Sequence, residues 1–177
     1  ANLWATIGPE RDGGIVLSGH TDVVPADGVG WTNDPFEMVE RDGKLYGRGT
    51  CDMKGFIAAA VAMAPVLAHH VKDRPLHFSF TYDEEVGCLG IARMIGAMEQ
   101  AIGRPRACIV GEPTEMQVAV GHKGKQSLRA ICRGQAGHSA LAPRFVNALH
   151  LAGDFMSELR AMQADLAKNG ARDAAAT

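Results

Sequence analysis

Three short apolar runs, each breaking directly into histidine or carboxylate residues, constrain this chain most. Ile15-Val16-Leu17 leads into Ser18-Gly19-His20-Thr21-Asp22, Leu76 to Tyr82 into Asp83-Glu84-Glu85, and Ala107 to Val110 into Gly111-Glu112. The first and last are short continuous runs, the pattern of buried strands, while Leu76 to Tyr82 alternates and carries aromatics, which also reads as a strand. Helical patterns lie between them. Lys54 to His70 is Ala-rich, and Gly87 to Ile102 has helical spacing at Leu89, Ile91, Met94, Ile95 and Met98. Pro65 inside the first of these predicts a kink or two segments there. Strand, helix, strand, helix, strand predicts an α/β sheet covered on both faces. Ligands of such sheets bind beyond the carboxyl ends of the strands, where these polar clusters fall.

The flanking segments are read in the same way. Leu3 to Ile7 predicts a strand, residues 19–36 a long polar loop, and Glu37 to Tyr46 a hairpin turning at Asp42-Gly43. After Glu112 the pattern changes. Met116 to Val120 and Gln126 to Cys132 look like two strands around a Gly121–Gly124 turn. Gly134 to Pro143 reads as a loop and Val146 to Leu166 as an amphipathic helix. Two parts are therefore expected, residues 1–122 and residues 123–177, the second being the beginning of an α+β unit.

Composition excludes several function classes. Eighteen Lys+Arg face 20 Asp+Glu for a formal net charge of −2, without a run of like charges. Neither a nucleic-acid surface nor a polybasic membrane anchor is indicated. Residues 56–71 form an apolar stretch too short for a membrane span. Cys51, Cys88, Cys108 and Cys132 contain no C-x-x-C pair and read as reduced thiols in a cytoplasmic protein. There is no Walker A motif, no G-x-S-x-G and no complete dinucleotide fingerprint.

The chemistry gathers at the strand ends. Asp52 adds a further acid from the turn before the first helix. Carboxylates collected in a poorly solvated place repel one another and need protonation or a cation. An imidazole among them suits zinc, cobalt or manganese. Each piece alone is weak: a chance His-x-acid pair is expected about once in a chain of this composition. Glu84-Glu85 fits a solvated helix start, and Asp52 fits an N-cap for the Lys54 helix. Their ordered combination after apolar runs is what carries information.

Five stretches, in order, carry a family resemblance. They are Ser18-Gly19-His20-Thr21-Asp22-Val23-Val24-Pro25, Gly47-Arg48-Gly49-Thr50-Cys51-Asp52-Met53-Lys54-Gly55, Asp83-Glu84-Glu85, Gly111-Glu112-Pro113-Thr114 and Gly137-His138-Ser139. The chain resembles the two-metal aminoacylase and carboxypeptidase family of metallopeptidases, over essentially its whole length. That resemblance implies a zinc-peptidase-like mixed sheet flanked by helices, followed by the start of a lid or dimerisation domain. It implies hydrolysis of the amide of an N-acyl amino acid, N2-acetylornithine first, with two divalent ions, zinc or cobalt, and a homodimer. It also implies roles. His20, Asp52 and Glu112 would bind one metal, with Asp52 bridging to a second held by Glu85. Asp22 would accept a hydrogen bond from the other ring nitrogen of His20. Glu84 would be the general base, taking a proton from the attacking water and giving one to the leaving amine. His138 would stabilise the oxyanion, commonly in the partner subunit's site.

Measured against the family, the chain is expected to lack an N-terminal lead-in helix and a C-terminal return that brings the last histidine ligand of the second metal. His69, His70, His77, His122 and His150 do not fill that place. One ion is then expected to bind well and a second weakly, with little turnover by the chain alone. A desuccinylase, aminoacylase or carboxypeptidase of the same family, or a non-catalytic metal-binding fragment, remain as alternatives.

Overall fold

The computed structural model describes residues 1–171. The chain divides into two compact units, Ala1–Gln117 and Val118–Thr177. The first contains a four-stranded sheet of β1 (Leu3–Ile7), β2 (Ile15–His20), β5 (Leu76–Thr81) and β6 (Ala107–Val110), in the order β1-β5-β2-β6. β2 runs parallel to both of its neighbours, β5 and β6, while β1 is antiparallel to β5. β3 (Val39–Arg41) and β4 (Lys44–Tyr46) form a separate hairpin. Its turn at Asp42 and Gly43 uses φ of 52° and 69°. Asp and Gly are among the residues that tolerate this left-handed conformation.

Alternation along the central strands divides the core between the two sheet faces. Phe78 and Phe80 of β5 and Leu17 of β2 pack with Ile57, Ala60 and Ala64 of α1 (Lys54–His70). The two phenylalanine rings meet edge to face at 6.2 Å. On the other side Val16 packs with Met94 and Met98 of α2 (Leu89–Ile102). Burying such side chains contributes about 1.5–3 kcal/mol each and fixes the register of β2 against β5. His77 and Ser79, on the Val16 side, are buried too. His77 Nδ1 bonds Thr6 Oγ1 at 2.9 Å, while His77 Nε2 and Ser79 Oγ have no hydrogen-bonding partner.

Three expectations change. α1 continues unbroken through Pro65. Val61, whose carbonyl loses its donor, is half exposed, so water can satisfy it. The strands expected over Met116–Val120 and Gln126–Cys132 do not form. Met116, Val118, Val120 and Leu128 all lie exposed, and an isolated two-stranded pairing without a surface to pack on is marginal in water. The described part of the second unit instead holds a 3-10 helix, Ser139–Arg144, at the end of the expected loop, and α3 (Ala148–Asn169). Asn147 caps α3 by accepting from Leu149 N at 2.9 Å.

Candidate metal centre

The parallel pairing of β5, β2 and β6 brings their carboxyl ends to one edge, with His20 in the middle. Two contacts carry the alignment past the strands. Thr21 N donates to Thr81 O at 2.8 Å, and Gly111 N donates to Ser18 O at 3.1 Å. The first sets Asp83 to Glu85 on one side of His20, and the second sets Glu112 on the other. Gly111 cannot carry a side chain, because a Cβ there would meet the ring of Phe56 on α1. A tight turn follows β5, in which Gly87 N and Cys88 N both donate to Glu84 O at 2.9 Å. Asp52 arrives from the turn ahead of α1. Its neighbour Met53, fully buried, is the N-cap of that helix and makes no side-chain cap bond, so Asp52 itself is not the cap.

His20 is 2% exposed. Its Nδ1 lies 2.9 Å from the main-chain carbonyl of Asp22, which can only accept, so Nδ1 carries a proton. Nε2 faces the acids: Asp52 Oδ1 at 3.1 Å, Glu112 Oε1 at 3.5 Å and Glu84 Oε2 at 4.0 Å. The expected bond from His20 to the Asp22 carboxylate is thus corrected. The nearer carboxylate oxygen is at 3.5 Å, and the carbonyl takes the bond. The Asp22 carboxylate accepts instead from Glu84 N at 3.2 Å and Glu85 N at 3.1 Å. It fastens the acidic turn to β2.

The charges answer one another. Burial raises the Asp22 carboxyl, but the main-chain donors of Glu84, Glu85 and Asp22 itself, with the charge of His20, outweigh it and leave the group below its ordinary range. Burial pushes Glu112 up, as do the charges of Asp52 and Glu84, against a smaller pull down from His20. Burial lowers His20, yet the Asp22 carbonyl and the charges of Glu112, Asp52 and Glu84 together leave it above its ordinary value. A buried imidazole nitrogen among repelling carboxylates is a donor set that fits a divalent cation. Two groupings have one donor atom per residue within 4.8 Å of each other: His20 with Glu84 and Glu112, and His20 with Asp52 and Glu85. The five residues expected at the metals and at the base therefore do come together. On distance alone Glu84 belongs to the same cluster as the residues expected to be ligands.

His138 lies in the second unit as the residue preceding the 3-10 helix, its Nδ1 accepting from Ala140 N at 3.2 Å. Cys51 is exposed. One contact escaped the sequence reading: the thiol of Cys88 donates to Glu84 Oε1 at 3.2 Å. Bonding to Glu84, with burial and the nearby carboxylate charges, raises that thiol above its ordinary value. The available signal was spacing, since a turn through Gly87 returns residue 88 to residue 84.

The model of peptidase family M20/M25/M40 matches residues 16–175, a span that includes every residue of the cluster. This chain belongs to peptidase family M20. Acetylornithine deacetylase of Yersinia pseudotuberculosis is 42% identical over 169 residues, covering 93% of this chain and 43% of that protein. The Shigella sonnei acetylornithine deacetylase is 41% identical over 165 residues, with 93% and 42% covered. The chain thus spans less than half the length of these curated relatives. Among solved structures, human carnosine dipeptidase 1 matches with a TM-score of 0.53 and 29% identity, over 62% of this chain and 24% of that one. The M20 metallo-carboxypeptidase Sso-CP2 of Sulfolobus solfataricus shares the fold with a TM-score of 0.53 at 21% identity, over 62% of this chain and 25% of that one. M20 proteins are metal-dependent hydrolases, and the mixed sheet described above is a partial zinc-peptidase-like domain. No helix among the described residues is long and apolar enough to cross a membrane.

Proposed function

We propose that this chain carries the metal-binding part of an amidohydrolase that removes the acyl group of an N-acyl amino acid, N2-acetylornithine first. The observation that carries this reading is the buried Nε2 of His20 facing Asp52, Glu112 and Glu84 at 3.1, 3.5 and 4.0 Å. Identity of 42% to acetylornithine deacetylase favours that substrate over other acyl amino acids. His20, Asp52 and Glu112 would hold one ion, and Asp52 with Glu85 a second, zinc or cobalt. When bound, such ions polarise the amide carbonyl and acidify water. Glu84 takes the proton released as water attacks and returns it to the leaving nitrogen. Asp22 keeps Glu84 and Glu85 in place through their main-chain nitrogens. His138 supplies a donor to the developing oxyanion in a homodimer. The setting is the cytoplasm, where the four thiols stay reduced.

The test is amine release from N-acetylornithine, N-succinyl-diaminopimelate and N-acetylmethionine with added zinc or cobalt. Acetylornithine is expected to be the fastest. Glu84→Gln is expected to cut turnover about a hundredfold to ten-thousandfold while metal binding persists. A variant that keeps most of its turnover would remove Glu84 from the role of base. Calorimetric titration with zinc is expected to give one tight and one weak event. Two equally tight events would overturn the unequal pair of sites.

A further inference from the structure

We propose that Cys88 is a positioning residue for Glu84, its thiol holding one carboxylate oxygen so that the other faces the metal cluster. This rests on the reading of Glu84 as the base. Cys88 stands at the N-terminus of α2 with φ of 58°, a left-handed conformation uncommon for a residue with a Cβ. The Cys88 side chain makes no cap bond to the helix. It turns back to Glu84 Oε1 at 3.2 Å. The same turn holds the main chain of Glu84 through Gly87 N and Cys88 N, both at 2.9 Å from its carbonyl oxygen. Glu84 is therefore fixed at both its backbone and one carboxylate oxygen by a single stretch of five residues. Oε2, the oxygen left over, is the one 4.0 Å from His20 Nε2.

The chemistry of a thiol suits this task. It is protonated at neutral pH, so it donates, and it is a weak, uncharged donor. A lysine or arginine in its place would neutralise the carboxylate and remove its basicity. The thiol orients the group and leaves its charge available for the proton. Cys88 touches neither a substrate nor a reacting atom in this arrangement. Its effect passes through Glu84.

The experiment compares Cys88→Ala and Cys88→Ser with the parent protein. Calorimetry with zinc first checks that each variant keeps the fold and the cluster. Cys88→Ala is expected to lower kcat about fivefold with KM unchanged, the effect of losing one weak hydrogen bond to a charged group. Cys88→Ser, which keeps a donor, is expected to stay within about twofold of the parent. A readout independent of turnover is the alkylation rate of Cys88 by iodoacetamide, followed by peptide mapping. Removing the neighbouring carboxylate charge in Glu84→Gln is expected to speed it about three- to tenfold, because a thiolate reacts and the thiol does not. Equal alkylation rates, an unchanged kcat in Cys88→Ala, or a loss that serine fails to restore would each overturn the positioning role. If Glu84→Gln retains turnover, the base assignment fails instead, and the alkylation result still reports whether the contact exists.

Discussion

The two units of this chain are built on different terms. In Ala1–Gln117, β2 and β5 are covered from both sides, and Val16, Phe78, Phe80, Met94 and Met98 are buried. In Val118–Thr177, no described residue is buried, and α3 exposes Leu149, Phe155, Met156, Leu159 and Met162. The first unit gains its order from sheet pairing between sequence-distant segments. The second keeps α3 through a local backbone ladder and an Asn147 cap, contributions that make a lone helix only marginally stable in water. Chemistry follows the same division. Every acid that faces His20 Nε2 sits in the unit with the core, because a cluster of repelling carboxylates must be held by something already rigid.

Experiments can break or sharpen that contrast. The largest effect is expected for His20→Ala, which removes the one nitrogen donor of the cluster and should abolish tight zinc binding in calorimetry. Next, Phe78→Ala should destabilise the first unit by about 3–5 kcal/mol in urea unfolding, whereas Leu159→Ala on α3 should stay within about 0.5 kcal/mol. Comparable losses would mean that α3 is packed as firmly as the sheet. Zinc affinity should fall on acidification, starting above 6.5, the ordinary imidazole value, because His20 and Glu112 both hold protons more tightly than usual and a metal must displace them. Calorimetry at several pH values in two buffers reads both the affinity and the protons released. A flat profile down to pH 6 would contradict this. The smallest expected change is Ser79→Ala. Its hydroxyl is buried without a partner, so its removal should be neutral or stabilise by up to about 1 kcal/mol.

Much of the first unit was legible because its signals are physical necessities. Ile15-Val16-Leu17 and Ala107 to Val110 are continuous apolar runs and Leu76 to Tyr82 alternates with aromatics, so β2, β5 and β6 declare themselves as strands with polar residues at the ligand edge. But β6, expected to be buried, lies at the edge of the sheet with all four residues exposed. The hairpin was equally plain from Asp42-Gly43. The failures have a common origin in partners that a linear pattern does not contain. Met116, Val118 and Val120 alternate suitably for a strand, as do Leu128, Ala130 and Cys132, but alternation supplies no neighbouring strand to pair with. Asp22 was correctly placed near His20, yet only the folded backbone shows that its carbonyl, not its carboxylate, meets the ring. The thiol of Cys88 was hidden by a tight turn whose outcome depends on the left-handed geometry at residues 83 and 88, where φ is 54° and 58°.

Placing the histidine strand between its two parallel neighbours has a consequence for the whole unit. His20 and Asp52 are 32 residues apart along the chain, and Asp22 meets Glu84 across 62. An ion held by His20, Asp52 and Glu112 would act as a cross-link that exists only while the strands hold their register. Closing such long loops in an unfolded chain is entropically unfavourable, so the ion should associate with the native ensemble almost alone. Chelation would then lower the melting temperature of the sheet as one cooperative event, and a slip of β2 by a single residue would release the ion together with the fold.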